Sequence, residues 1–244
     1  MYRRGMLRQL ALAFSLSFAA LTAHAADLAE LTVRGFSPDG TTITFEERGV
    51  QDGSGFAYAN VFVVDVERDA YVEGSPIRVR LEEDGASPWK AISTARQQAK
   101  DAGLLRNDYV AGNLVAAYPF AQYVQDKTHA TFVLDPQAVG FAPLYLLRIN
   151  SFPAAAGLQI CSDMGFATAG FEVDWGRTDE PGRVSYRDKN TLPKSRGCAT
   201  DYEIAEVRTY FPPNRGLVTA AILRVRTPGF ENAGQWRHIV VFPR

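Results

Sequence analysis

A histidine and two carboxylates are the residues of this chain best suited to acid–base work. His129 lies in Asp126-Lys127-Thr128-His129-Ala130-Thr131-Phe132, beside an expected strand start, and Asp65 and Glu172 sit inside apolar stretches. Joined by a hydroxyl, such groups make a hydrolase site of the Ser–His–acid kind, whose members need be close only in space. Other chemistries are excluded by inspection. Beyond the first 25 residues only His129 and His238 remain, too few for metal sites built on paired histidines such as H-E-x-x-H. Acids at Asp52 or Asp179-Glu180 leave a carboxylate-only Ca²⁺ site open but lack EF-hand spacing and are ordinary for surface loops, and no metal is expected. The nucleophile elbow G-x-S-x-G is missing, because Gly53-Ser54-Gly55 falls in an expected hairpin loop. With neither G-x-G-x-x-G nor a Walker loop, no cofactor is expected.

A second cluster suits binding rather than turnover. Arg177, Arg183, Arg187, Lys189, Lys194 and Arg196 face only Asp179, Glu180 and Asp188 over twenty residues, with Tyr186 among them. Arginine makes bidentate contacts with carboxylate and phosphate, which marks Arg187, Lys194 and Arg196 as ligand-binding candidates toward an anionic envelope polymer. The competing reading is a solvated, charge-mixed loop. Cys161 and Cys198 are the only cysteines, and an even count in an exported chain predicts one disulfide between them. Closing that segment is worth roughly 4 kcal/mol on the chain-entropy argument. No C-x-x-C is present, so thiol–disulfide exchange is not expected.

These residues must be held by a β-rich framework. Alternation predicts strands around Leu31–Val33, Ile43–Phe45, Val61–Val66 and Ile77–Leu81, then Leu114–Tyr118, Ala130–Leu134, Leu144–Ile149, Phe171–Trp175, Tyr202–Val207, Leu217–Arg226 and Arg237–Phe242. One helix is predicted over 88–102, with Ser87 as N-cap, Pro88 in its first turn and Gly103 beyond its end. Trp89, Ile92, Arg96 and Ala99 share one side of it, a narrow stripe supplemented by alanines that suits close packing on a sheet. Phe36 to Glu47, with its Ser-Pro-Asp-Gly turn, resembles the first hairpin of a propeller blade. No second copy and no fixed period follow, so a full β-propeller is not expected. The fold class is therefore mainly β, an antiparallel meander or sandwich-like domain with one short helix.

Export is written at the start. Arg3, Arg4 and Arg8 precede the apolar run Leu10–Leu21, and Ala23-His24-Ala25 offers a cleavage site after Ala25 or Ala26. Residues 1–25 are thus a signal peptide and 26–244 a single β-rich secreted domain, with 103–110 the place where any subdivision would fall. The apolar run is shorter than the ~20 residues of a membrane span, and nothing later approaches that length. The three arginines leave with the leader, so 23 basic residues face 27 acidic ones, which gives no case for nucleic acid.

Gly35 to Val66, Leu192-Pro193-Lys194-Ser195-Arg196-Gly197-Cys198 and Pro228 to Val241 together resemble the secreted bacterial proteins grouped as domain of unknown function 2259. The three segments come in the same order and span nearly all of the mature chain. The resemblance implies export and no assigned activity. Its usual last segment reads closer to P-G-F-E-G-P-D-R-R-F, whereas Asn232-Ala233-Gly234-Gln235-Trp236 stands here. The sequence thus points to a periplasmic or secreted, non-catalytic binding or interaction module for an envelope protein or anionic polymer. The alternative is a periplasmic hydrolase using His129, Asp65 or Glu172.

Overall fold

The computed structural model describes residues 27–83, 85–120, 126–138, 140–229 and 234–244; the expected signal peptide and its expected cleavage point lie outside them. In chain order come strands β1 (Asp27–Leu28), β2 (Glu30–Phe36), β3 (Thr42–Val50), β4 (Ala57–Asp65), β5 (Ala70–Tyr71) and β6 (Ile77–Leu81). Helix α1 (Pro88–Asp101), β7 (Asn113–Ala117), β8 (His129–Val133), β9 (Leu144–Pro153) and helix α2 (Gln159–Asp163) follow. Then come β10 (Ala169–Arg177), β11 (Arg183–Arg187), a 3-10 turn over Lys194–Arg196, β12 (Asp201–Tyr210), β13 (Val218–Pro228) and β14 (Gly234–Val241).

They form three sheets. The central one has the order β1-β14-β13-β12-β7, a helix-side sheet has β2-β3-β4-β5 with β6 also on β4, and an outer sheet has β11-β10-β9-β8. Every ladder is antiparallel except β1 on β14. The fold is mainly β with antiparallel sheets, as the alternation predicts, and the described residues form no propeller.

The reason for three layers is visible in β13. Val218-Thr219-Ala220-Ala221-Ile222-Leu223 is an unbroken buried run, as expected of a strand covered on both faces. Ala220 and Ile222 pack with Phe36, Ile43, Phe45, Phe62 and Val64 of the helix-side sheet. Ala221, Leu223 and Val225 pack instead with Leu147, Ile149, Phe171 and Val173 of the outer sheet. Beyond the helix-side sheet α1 adds a fourth layer, through Ala91, Ile92, Ala95 and Ala99 against Ala57, Ala59, Val61 and Val79.

The predicted helix starts and stops where its caps dictate: Ser87 Oγ accepts from Lys90 N at 3.2 Å, and Gly103 takes φ 70°. Trp89 departs from the expected stripe. It is 64% exposed, and the Arg48 guanidinium lies 3.8 Å from its ring centroid. The blade-like hairpin is local turn chemistry. Asp39 accepts from Ser37 Oγ, Thr41 N and Thr41 Oγ1, bonds that draw its carboxyl down to about 2.

The sequence pattern predicts none of β1, β5, β11, α2 and the 3-10 turn. The charged stretch from Arg177 to Arg196 is not one loop, because Arg183–Arg187 forms β11 on the edge of β10. The short α2 carries Cys161, which is fully buried and bonded to Cys198.

Candidate functional site

The sequence candidates divide between two regions. His129, Glu172 and Arg187 lie on the solvent face of the outer sheet. His129 stands opposite Arg148, and Arg148 opposite Asp174, while Glu172 is two residues along and faces Asn150 and Arg187. β8 and β10 are second neighbours, so His129 and Glu172 are about 12 Å apart across the sheet, beyond any shared proton. Glu172 is ion-paired with Arg187, whose guanidinium lies over Phe152. His129 Nδ1 is 3.0 Å from Asp126, and Tyr118 donates to the His129 carbonyl. The Thr128 hydroxyl and N–H, followed by His129, hold the Asp126 carboxyl below the usual range. Asp65 is on another sheet and caps a turn, accepting from Glu67 N and Arg68 N. The structure therefore does not bring Asp65, His129 and Glu172 together.

Arg196 lines a cleft, and Lys194 lies on the same segment without lining it. Two contiguous cavities of about 220 and 290 Å³ share Tyr71, Ser195, Arg196 and Ile239. Their floor is β14 from Arg237 to Val240, an edge of the central sheet. One wall is the helix-side sheet with Asn60, Phe62, Val64, Tyr71 and Arg78. The other is the segment Pro193–Gly197 together with Tyr186.

That second wall is a strap pinned at both ends. Leu192 is 2% exposed and belongs to the core, its N–H donating to the Ala155 carbonyl at 2.9 Å. Gly157 permits the approach, since a Cβ there would lie 2.1 Å from the Leu192 carbonyl oxygen. At the far end the Cys161–Cys198 bridge fastens the strap to α2. Between these anchors Arg196 is held rigidly. It donates to Tyr186 Oη at 3.0 Å and to Asp188 Oδ1 at 3.1 Å, with its guanidinium 5.1 Å from the Phe171 ring centroid. Burial opposes its charge, and Asp188 with Tyr186 and Tyr202 more than offsets that. Burial likewise pushes the Tyr186 hydroxyl up, partly countered by Arg196.

The opposite wall differs. Arg78 is exposed, sits opposite Asn60 in the β4–β6 ladder, and makes no ion pair among the described residues. Beside it Tyr71 is 38% exposed, with its ring 5.8 Å from Phe62. Asp69 keeps an open face, but the surrounding walls raise its carboxyl, with Arg196 and Arg244 pulling the other way.

At the floor His238 is 3% exposed and bound twice by Glu47, its N–H at 3.1 Å and its Nδ1 at 3.2 Å from Oε2. Asn60 donates to the other Glu47 oxygen at 2.8 Å. Arg237 pairs with Asp27, which also accepts from Tyr58 Oη. Sequence reasoning missed Arg78, Tyr71, Glu47 and His238. The available signals were a histidine and two adjacent glutamates inside apolar strands, and an arginine on the wet face of β6. Among the described residues the cleft offers one cation without an ion pair, Arg78, a second cation fixed in orientation, Arg196, the Asp69 carboxylate toward one end, and aromatic and aliphatic surface between. That combination is suited to an acidic group attached to something apolar.

No helix among the described residues is long and apolar enough to cross a membrane. A family model described as predicted secreted protein (DUF2259) matches residues 44–243. Neither the curated proteins nor the solved structures contain a match.

Proposed function

Since the chain belongs to the DUF2259 family of predicted secreted proteins, we propose that it is an exported, non-catalytic binding module that takes an acidic group of an envelope partner into the cleft beside β14. The observation that carries this reading is Arg78, a cation without a counter-ion among the described residues, on a wall opposite the rigidly held Arg196. Arg196 is already ordered, so an arriving carboxylate or phosphate has only the Arg78 side chain left to order. Lys194, exposed on the strap, adds charge at the rim. Arg187 is paired with Glu172 on another face and stands outside the site. The hydrolase alternative draws no support from the distribution of Asp65, His129 and Glu172 over two sheets. Nor does the Glu47–His238 pair favour it, because an imidazole side chain 1% exposed has no access to a substrate proton.

The test is titration of the purified protein with glutarate and with inorganic phosphate. Arg78→Ala should weaken binding of at least one probe roughly three- to tenfold, Lys194→Ala by less, and Arg187→Ala not at all. Added salt should weaken the parent in the same direction. Equal affinity in parent and Arg78→Ala would reject the cleft as the anion site.

A further inference from the structure

The central sheet stops short along one edge. β1 covers β14 only at Gln235 and Trp236, and no other strand pairs with that edge among the described residues. The register identifies the backbone groups left over. Ala29 N donates to the Trp236 carbonyl on the β1 side, and Thr200 N donates to the carbonyl of Arg226, opposite Trp236, on the far side of β13. Arg226 and Trp236 are thus a non-hydrogen-bonded pair. By the two-residue alternation of an antiparallel ladder, His238 and Val240 also turn their N–H and C=O away from β13.

Glu47 takes the His238 N–H, standing where the carbonyl of a neighbouring strand would stand. The His238 carbonyl and the Val240 N–H and carbonyl have no hydrogen-bond partner among the described residues, although Val240 is only 8% exposed. Backbone groups at such a place require partners, and an open edge is a template for another strand. His238, Ile239 and Val240 are also the floor of the cleft, which runs along the edge between β5 and β6 on one side and the strap with Tyr186 on the other. The cleft has the position of one missing strand in the middle layer.

We infer that β14 accepts an extended polypeptide segment as an added strand, with a carboxylate side chain toward Arg78 on one face and apolar side chains toward Ile239 and the strap on the other. The inference rests on the cleft being the binding site and names the partner as a protein segment that alternates acidic and apolar residues. Unpaired main-chain donors and acceptors in register are met by another main chain, and Arg78 supplies the charge complement. A second copy would have to insert a projecting strand, whereas β14 is recessed between the helix-side sheet and the strap with Tyr186.

Calorimetric titration of the purified protein with acetyl-Val-Thr-Val-Glu-Val-Thr-amide tests this. The comparison probes are the Glu→Gln peptide, two versions N-methylated at alternate residues, and glutarate. The parent peptide should bind more tightly than glutarate, and at least one N-methylated version should lose about tenfold or more, since its methyl groups face the edge. In hydrogen exchange the Val240 amide should be labile in the free protein and protected by the peptide. Equal binding of the parent and both N-methylated peptides, or no change at Val240, would overturn strand addition. If glutarate still bound through Arg78, the cleft would stand without the added strand. If neither probe depended on Arg78, the cleft would fall as well. Protection of Val240 without peptide, with a mass that rises with concentration, would replace the partner by a second copy.

Discussion

Two neighbouring residues, Glu46 and Glu47, divide the work of joining the layers. Successive residues of a strand point to opposite faces, so one glutamate reaches α1 and the other reaches β14. Glu46 receives Arg96 through both oxygens, at 2.6 to 3.1 Å, and Arg34 at 3.1 Å. Those arginine side chains are 37% and 30% exposed and regain water when the carboxylate is removed. Glu47 differs because its partners, the His238 N–H and imidazole, are buried. Removing it leaves a buried donor unpaired, a penalty of about 1–3 kcal/mol. Glu47→Ala should therefore lower Tm by roughly 3–10 °C, and Glu46→Ala by less. Thermal unfolding followed by circular dichroism compares them, and a larger loss for Glu46→Ala would show that the helix contact, not the β14 contact, is the more costly to break.

At the scale of elements the strap decides whether the second wall exists. Its disulfide closes a segment of sequence separation 37, worth roughly 4 kcal/mol on the chain-entropy argument. Cys161→Ser with Cys198→Ser should lower Tm and also weaken binding of the glutarate probe, because Arg196 would no longer be held against Asp188 and Tyr186. A double variant that melted lower yet bound equally well would confine the bridge to stability. The framework was largely legible in the sequence: alternation located most of the strands, and Ser87, Pro88 and Gly103 bounded α1. β11 was not, because Arg183-Val184-Ser185-Tyr186-Arg187 is an edge strand whose charged ends and preceding Pro181-Gly182 read as loop. The cleft was legible only as Arg196. Arg78 reads from sequence as an ordinary wet-face residue, since nothing in Ile77-Arg78-Val79-Arg80-Leu81 tells that a third sheet will place a strap across from it. Open edges are equally silent: a sequence marks which residues form a strand, and only the ladder shows that β1 ends after two.

The molecule as a whole is a central sheet buried on both faces, carried between two sheets that overhang its β14 edge. Burial of both faces accounts for the continuous apolar run of β13, and the overhang accounts for a cleft with walls from two different sheets. In this account the outer face of the outer sheet, with its paired Glu172 and Arg187, is solvated surface, and the β14 cleft is where the molecule meets its partner. Backbone amide chemical-shift mapping during a glutarate titration tests that division most directly. The account predicts shifts concentrated at Tyr71, Arg78, Ser195–Gly197 and Arg237–Val240, and attenuated throughout by Arg78→Ala. Shifts centred on His129, Glu172 and Arg187, with the β14 residues unmoved, would contradict it.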